Sequence, residues 1–169
     1  MSEKKLRSGQ ISRSPFLAVM VDLDHFKTIN DRYGHATGDM VLAESTIAMS
    51  KSLRKGDLFG RLGGEEFAVI CSVQSEDDIT SIPERLRAAV EALKFATPDG
   101  AMVGVTVSVG TAVLVAEPGD TGALDRLLAA ADEALYRAKA QGRNMVAIGK
   151  VAAARYETPP ALSFAIAKA

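Results

Sequence analysis

The sequence lacks several features that mark whole classes of protein. Its single cysteine, Cys71, excludes a disulfide within the chain, so we expect a reducing compartment, the cytoplasm by default. No apolar run approaches the length of a membrane span, and the N-terminal residues lack the apolar stretch of a signal peptide. Neither sign of charge predominates: 20 Lys and Arg face 21 Asp and Glu, which argues against a surface that coats nucleic acid.

What remains is the composition of an ordinary folded domain. Hydrophobic residues make up 47% of the chain and charged residues 24%, so disorder, collagen and coiled coil are poor descriptions. The 169 residues allow one domain with a substantial core. We predict a polar lead-in at 1–14, a folded domain at 15–149 and an alanine-rich tail at 150–169.

Hydrophobic periodicity predicts the element order β-α-α-β-β-α-β-α-β. The strands are predicted at 16–23, 57–62, 67–73, 103–109 and 145–148, and the helices at 25–33, 39–53, 79–93 and 124–138. Alternating valines at 103–109 indicate a strand with one buried face, and Gly142 is a predicted helix C-cap. Because a hairpin interrupts the alternation of strands and helices, we predict an α/β (α+β) fold with a mixed central sheet of about five strands flanked by helices.

The first acidic motif closes a predicted buried strand. Asp22 and Asp24 would be costly to desolvate there unless a cation or hydrogen-bond donors meet them. A hard divalent ion such as Mg²⁺ takes one or two carboxylates, a backbone carbonyl and substrate phosphates, so this strand end is a candidate metal site. The alternative is that one of these aspartates caps the following helix.

The second acidic motif lies in the predicted hairpin. Gly63 and Gly64 tolerate positive φ and let a ligand approach the backbone closely. Glu65 and Glu66 crowd like charges at the start of a strand, and one of them is placed to join Asp22 on a metal ion. The alternative is a plain glycine hairpin with solvated acids.

Taken together, the motifs resemble the GGDEF family of diguanylate cyclases in order from about residue 16 to 148. The matching segments are DLDHFKTIND at 22–31, GH at 34–35, GD at 38–39, RLGGEEF at 61–67, VSVG at 107–110, ADEALYRAK at 131–139 and GRN at 142–144. The resemblance implies a palm-like nucleotidyl cyclase fold. It also implies condensation of two GTP molecules into cyclic di-GMP, with release of pyrophosphate.

The resemblance further implies a set of metal-binding and catalytic residues. Asp22, the Leu23 carbonyl and Glu65 match the family's metal ligands, with Glu66 beside them, and the ion would be Mg²⁺, with Mn²⁺ as the alternative. Glu65 also matches the base for the 3′-hydroxyl, and Lys27 matches a residue that stabilises the transferring phosphate.

Two groups of substrate contacts are implied in the same way. Lys139 and Arg143 match positions that hold the terminal phosphates, and their alternative is a solvated helix end. Asn30, His35 and Asp39 match the guanosine contacts, and Asn30 and His35 could instead be loop and cap residues. A carboxylate suits the N1–H and N2–H₂ donors of guanine, so Asp39 favours GTP over ATP and disfavours a different cyclase product.

Two expectations concern regulation and assembly. Arg54 and Asp57 form an Arg-x-x-Asp motif that matches the family's inhibitory product site, with Arg85 as its supporting arginine, although such a pair alone is common. One site holds one GTP, so turnover is expected to need a homodimer. The runner-up is a catalytically weak domain that binds GTP or cyclic di-GMP as a regulatory module, favoured by residues 1–14, which lack the family's Asp-x-Leu-Thr-Gly-Leu-x-Asn-Arg-Arg segment.

Overall fold

The computed structural model describes residues 15–116 and 120–151, so the predicted lead-in and nearly all of the predicted tail lie outside the described residues. The strands are β1 (Phe16–Leu23), β2 (Leu58–Gly63), β3 (Glu66–Ser72), β4 (Phe95–Ala96), β5 (Met102–Val103), β6 (Val107–Leu114) and β7 (Val146–Ile148). The helices are α1 (Phe26–Tyr33), α2 (His35–Lys51), α3 (Asp78–Glu91) and α4 (Ala123–Ala140). None of these helices combines the length and the hydrophobicity that crossing a bilayer requires.

The centre of the fold is a five-stranded sheet with the order β2-β3-β1-β6-β7. Neighbouring strands are antiparallel except β6 and β7, which are parallel, so the predicted mixed sheet of about five strands is confirmed. The order of the predicted elements is also confirmed. A small hairpin of β4 and β5 is additional, and two-residue strands are too short to leave a periodic signal.

Helices cover the sheet on both faces. On β1, Leu17, Val19 and Val21 point into a large core that also receives buried side chains of α1, α2 and α3. Ala18, from the opposite face of the same strand, packs with Leu127 and neighbouring alanines of α4 in a smaller cluster. The alternation along β1 therefore assigns its two faces to different helices.

Helix α4 lies unusually close to the sheet because glycines and alanines line the contact. A Cβ atom built on Gly110 of β6 would overlap the backbone nitrogen of Leu135 and the carbonyl oxygen of Ala131. A Cβ atom on Gly149, just after β7, would overlap the carbonyl oxygen of Ala130. Helix backbone and strand backbone are thus in direct contact, which fixes the position of α4 along the sheet.

The predicted start of the second helix was wrong. We predicted a loop at 34–38 and a helix from Asp39, whereas α2 begins at His35 and Asp39 lies beyond its first turn. Gly34, with φ of 84°, provides the whole break between α1 and α2, and its N–H still donates to the Asn30 carbonyl. The Thr37 hydroxyl donates to the Tyr33 carbonyl at 3.0 Å, a further bond across the junction.

The prediction of one half-buried strand at 103–109 was also wrong. The segment contains two separate strands: β5 ends at Val103, residues 104–106 are not strand, and β6 begins at Val107. Residues 107–112 of β6 are all buried. Large and small residues alternate here because α4 packs against Gly110 and Ala112, whereas Val107 and Val109 enter the main core. Alternation in size on a strand buried on both faces resembles alternation in burial when only the sequence is read.

Candidate active site

The candidate site is centred on Asp22 at the end of β1. Its side chain is largely buried, and its Oδ2 lies 2.7 Å from the Nζ atom of Lys139 on α4. Burial raises the pKa of the Asp22 carboxyl above its usual value, the nearby Glu65 and Glu66 charges raise it further, and the hydrogen bond from Lys139 opposes the shift. The site therefore holds a carboxylate whose ionised form needs a cation.

The Gly-Gly-Glu-Glu hairpin brings two more carboxylates to this strand end. Strand pairing places Glu66 opposite Asp22, and the Leu23 N–H donates to the Glu65 carbonyl at 3.2 Å. Gly64, with φ of 51°, makes the turn, and its carbonyl accepts a hydrogen bond from Arg61 Nε at 2.8 Å. Glu66 is exposed and Glu65 is half-buried, so both acids remain within reach of a ligand.

These residues form a donor set that suits magnesium. Within 15–116 and 120–151, no group of three or more His, Cys, Asp or Glu side chains is arranged to hold a metal. Mg²⁺ needs only one or two carboxylates, because carbonyl, phosphate and water oxygens complete its octahedral shell. The Asp22 carboxylate already attracts a cation, the Lys139 ammonium, so the oxygen ligands predicted on Asp22, Leu23 and Glu65 fit the ion chemically.

Helices α1 and α2 carry the predicted nucleoside contacts and also Lys27, the predicted contact to the transferring phosphate. Lys27, His35 and Asp39 are exposed and Asn30 is half-buried. A Cβ atom on Gly38 would overlap Oδ1 of Asn30, so the glycine makes room for that amide beside Asp39. The structure therefore places the Asn30 amide against Gly38, the residue that precedes Asp39 on α2.

Neither aspartate of the first motif caps α1. The N-cap residue is His25, with φ of 58°, and no side chain caps this helix end. Asp24 is instead 4% exposed and accepts hydrogen bonds from the Thr106 and Ser108 hydroxyls and from the Asn144 N–H. Sequence reasoning named Asp24 in the first acidic motif but gave it no role of its own. Its place at the end of a buried strand was the available signal, whereas its partners lie more than 80 residues away along the chain.

The end of α4 and the turn that follows it carry the two predicted phosphate contacts. Lys139 lies in the last turn, and Gly142, with φ of 125°, follows the helix. The Arg143 N–H donates back to the Ala138 carbonyl at 3.0 Å, as in a Schellman motif, which agrees with the predicted role of Gly142 in ending the helix. Arg143 is exposed, whereas Lys139 contacts Asp22, so a predicted phosphate contact and a predicted metal ligand meet in one ion pair.

The three residues of the predicted inhibitory site converge on the loop after α2, but their partners differ from those the motif implies. Arg54 forms a two-pronged ion pair with Asp78, with N–O distances of 2.6 and 3.0 Å. Asp57 accepts a hydrogen bond from the Arg54 backbone N–H, and Arg85 donates to the Ser52 carbonyl. Asp78 was missed from the sequence. Arg54 and two backbone N–H groups lower its pKa to about 2.

An apolar pocket lies elsewhere, where β1 begins beside the start of α4. Phe16, Ile70, Leu114 and Leu127 line it together with other residues of the same region. It contains none of the predicted site residues. The candidate active site lies at the opposite end of β1, around Asp22 and the Gly-Gly-Glu-Glu turn.

Comparison with known proteins places these features in a family. A sequence model described as the diguanylate cyclase GGDEF domain matches residues 2–145. The chain is 40% identical over 148 residues to the response regulator PleD of Caulobacter vibrioides and 36% identical over 148 residues to the diguanylate cyclase DosC of Escherichia coli. These matches take in 87% and 88% of the chain but 32% and 31% of the relatives, so the chain spans about a third of their length.

Solved structures of GGDEF domains have a similar fold. The GGDEF domain of PA1120 (YfiN or TpbB) from Pseudomonas aeruginosa is similar with a TM-score of 0.72 and 34% identity, covering 83% of this chain and 86% of that one. The GGDEF domain of DgcB from Caulobacter crescentus, solved with c-di-GMP, gives a TM-score of 0.71 and 31% identity, covering 80% and 78%. The chain therefore belongs to the GGDEF family of diguanylate cyclase domains and has its α+β cyclase fold.

Proposed function

We propose that this domain condenses two GTP molecules into cyclic di-GMP and releases pyrophosphate, with Mg²⁺ or Mn²⁺ bound at the end of β1. The family and the relatives named diguanylate cyclase support the reaction class. The observation that carries the proposal is the largely buried Asp22 carboxylate, which meets a cation beside the Gly-Gly-Glu-Glu turn. A buried carboxylate in this position favours metal and phosphate chemistry over a structural hairpin.

The acidic residues have distinct proposed roles. Asp22, the Leu23 carbonyl and Glu65 hold the metal ion, and Glu66 adds negative charge beside them. When bound, the ion offsets the charge of the triphosphate and polarises its α-phosphate. Glu65 accepts the proton of the attacking 3′-hydroxyl, and its half-buried position on the turn gives it access to that group.

The cationic residues hold the triphosphate. Lys27, exposed on α1, stabilises the charge that develops on the transferring phosphate. Lys139 and Arg143, at the end of α4, bind the terminal phosphates, and Lys139 exchanges the Asp22 carboxylate for phosphate oxygens when substrate binds.

The junction of α1 and α2 binds the nucleoside, and Gly63 and Gly64 let it approach the hairpin backbone. Asp39 accepts hydrogen bonds from the N1–H and N2–H₂ groups of guanine, Asn30 contributes a second base contact, and His35 lies near the sugar. Adenine lacks that pair of donors, so an ATP molecule would leave the Asp39 carboxylate unsatisfied. GTP is therefore the proposed substrate.

Two further proposals concern assembly and control. The cyclic product has two phosphodiester links and the chain presents one such site, so two copies facing each other form the active homodimer. Arg54, Asp57 and Arg85 bind cyclic di-GMP as an inhibitor, with Arg54 exchanging Asp78 for a phosphate of the product. The DgcB domain solved with c-di-GMP supports product binding in the family.

The decisive experiment measures cyclic di-GMP and pyrophosphate after incubation with GTP and Mg²⁺. We expect Glu65→Gln, which keeps the side-chain volume but removes the charge, to abolish product formation. Glu44→Gln, at an exposed position within α2, is the matched control and should retain wild-type turnover. Binding of GTP or cyclic di-GMP by the unaltered chain without any product would contradict the enzyme proposal and favour a regulatory binding module.

A further inference from the structure

Two consecutive residues after α4 have left-handed backbone conformations without being glycine. Arg143 has φ of 64° and Asn144 has φ of 45°. Such conformations are unfavourable for residues with a Cβ atom and persist only where surrounding contacts enforce them. This pair, which we call the 143–144 turn, includes one of the two proposed phosphate-binding residues.

Asn144 is held on three sides. Its N–H donates to Oδ2 of Asp24 at 3.0 Å, which ties the turn to the end of β1. Its side chain accepts a hydrogen bond from Arg87 and donates one to Glu91, both at 2.7 Å, which ties it to α3. These contacts stabilise the left-handed backbone that directs Arg143 outward.

Asp24 is itself held in place by hydrogen bonds. The Thr106 and Ser108 hydroxyls donate to its two carboxylate oxygens at 2.7 and 2.6 Å, and its own N–H donates to the Thr106 carbonyl at 2.8 Å. The side chain is 4% exposed, so it contacts no substrate directly. A buried carboxylate that accepts three hydrogen bonds has little freedom to move.

The end of β1 and the residue that follows it thus hold both the last turn of α4, through Asp22 to Lys139, and the turn after α4, through Asp24 to Asn144. The first link must open when Lys139 binds phosphate, whereas the second can stay closed. We propose that Asp24 is a positioning residue that fixes the 143–144 turn so that Arg143 meets the terminal phosphates of GTP. This inference rests on the proposed function, because it assigns Asp24 to the same site.

The test is a double-mutant cycle between Asp24 and Arg143 on the full chain. KM for GTP and kcat are measured together with calorimetric binding of pyrophosphate in the presence of Mg²⁺, which needs no turnover. Asp24→Ala and Arg143→Ala should each weaken pyrophosphate binding and raise KM by about tenfold, because each removes a charged hydrogen-bonding group, with kcat changed much less. The double variant should bind pyrophosphate about as well as the weaker-binding single variant, because Asp24 acts through Arg143.

Conservative variants separate positioning from folding. Asp24→Asn keeps an oxygen acceptor for the Asn144 N–H and should restore binding to near the wild-type level. Asn144→Gly keeps that N–H and the positive φ but loses the contacts to Arg87 and Glu91, so it should also weaken pyrophosphate binding. This variant tests the positioning role if Asp24→Ala does not fold. Ser108→Ala is the matched control, since it leaves the oxygen that accepts from Asn144 untouched.

The outcomes distinguish this inference from the proposed function. Additive effects in the cycle, or wild-type binding in well-folded Asp24→Ala, would overturn the positioning role and leave the cyclase proposal intact. Pyrophosphate binding with the expected non-additivity, but no cyclic di-GMP, would support positioning and refute the enzyme. A wild-type chain that binds neither GTP nor pyrophosphate would refute both.

Discussion

At the scale of single residues, the Asp22 carboxylate has two possible partners, the Lys139 ammonium and the proposed metal ion, which would compete for it. The ammonium offsets a largely buried charge in the free domain, and a metal ion would need the same oxygen atoms. Because both partners are held by rigid elements, breaking the pair leaves Asp22 short of a cation. The free domain therefore contains a built-in competitor for its own proposed metal.

We predict that Lys139→Met binds Mg²⁺ more tightly than the wild type in the absence of nucleotide, although it makes less product with GTP. Removing a pair worth about 1 kcal/mol should strengthen Mg²⁺ binding about fivefold. Calorimetric titration or Mg²⁺-dependent thermal stabilisation measures the effect. Arg137→Met, which removes a cation of the same helix that pairs with Glu133, should bind Mg²⁺ as the wild type does. Equal affinities in all three proteins would refute the competition.

Asp78 allows a prediction about acid stability. Its pKa is lowered from 3.8 to about 2, mainly by Arg54, so its contribution to folding is present above pH 3.8 and is lost as the pH falls towards 2. Asp78→Asn should be less stable than the wild type at pH 7, and its stability should fall less steeply between pH 4 and 2. Urea unfolding at a series of pH values tests this, with Asp77→Asn at the exposed neighbouring position as control. Parallel pH profiles for Asp78→Asn and wild type would count against the prediction.

At the scale of secondary-structure elements, the close packing of α4 on β6 depends on Gly110. We predict that Gly110→Ala destabilises the protein by about 3 kcal/mol, because the added methyl meets backbone atoms that cannot rotate away. Gly60→Ala is the matched control, since a Cβ atom there meets nothing within 4 Å, and it should change the free energy of unfolding by less than about 0.5 kcal/mol. Denaturant unfolding compares the two, and similar losses would show that the packing is looser than described.

Local patterns were sufficient for most elements but not for their exact limits. The β2–β3 hairpin and α4 were predicted from the local spacing of hydrophobic residues, which does not depend on what packs against these elements. The start of α2 depends on the conformation of a single residue, Gly34, and the two buried faces of β6 depend on the helices that pack against them. Sequence reasoning therefore predicted which elements form better than it predicted where they begin.

The candidate site shows the same division. Asp22 and the Gly-Gly-Glu-Glu turn were predicted to meet, and strand pairing brings them together. The partners of Asp24 and Arg54 could not be predicted, because the Asn144 bond spans 120 residues of sequence and the Asp78 bond spans 24. Such pairings depend on side-chain rotamers after folding, and no spacing rule encodes them.

At the scale of the whole molecule, the net charge of −1 does not show how the acidic and basic residues are distributed. Asp22, Glu65 and Glu66 collect at one strand end, and Lys139, one of the proposed phosphate contacts, reaches it from α4. Under the proposed function one copy binds one GTP, so a cyclic product with two phosphodiester links would need a second copy.

We predict that the specific activity of the isolated chain rises with its concentration. If the domain is mostly monomeric, dimer concentration grows as the square of protein concentration, so activity per molecule should increase in proportion to protein. Cyclic di-GMP production over a hundredfold range of dilution, with molar mass from light scattering at each point, measures this. Constant specific activity from a monomeric protein would contradict the facing-copies proposal.

The glycine and alanine contact between α4 and the sheet also has an entropic consequence. Glycine and alanine have no side-chain rotamers, so packing Gly110 against Ala131 and Gly149 against Ala130 restricts no χ angle of these residues. The backbone that carries Lys139 and leads to Arg143 is therefore ordered at little side-chain cost, while the long, exposed Arg143 side chain keeps its rotameric freedom for the ligand. Warming should loosen the Arg143 side chain well before it shifts the helix that precedes it.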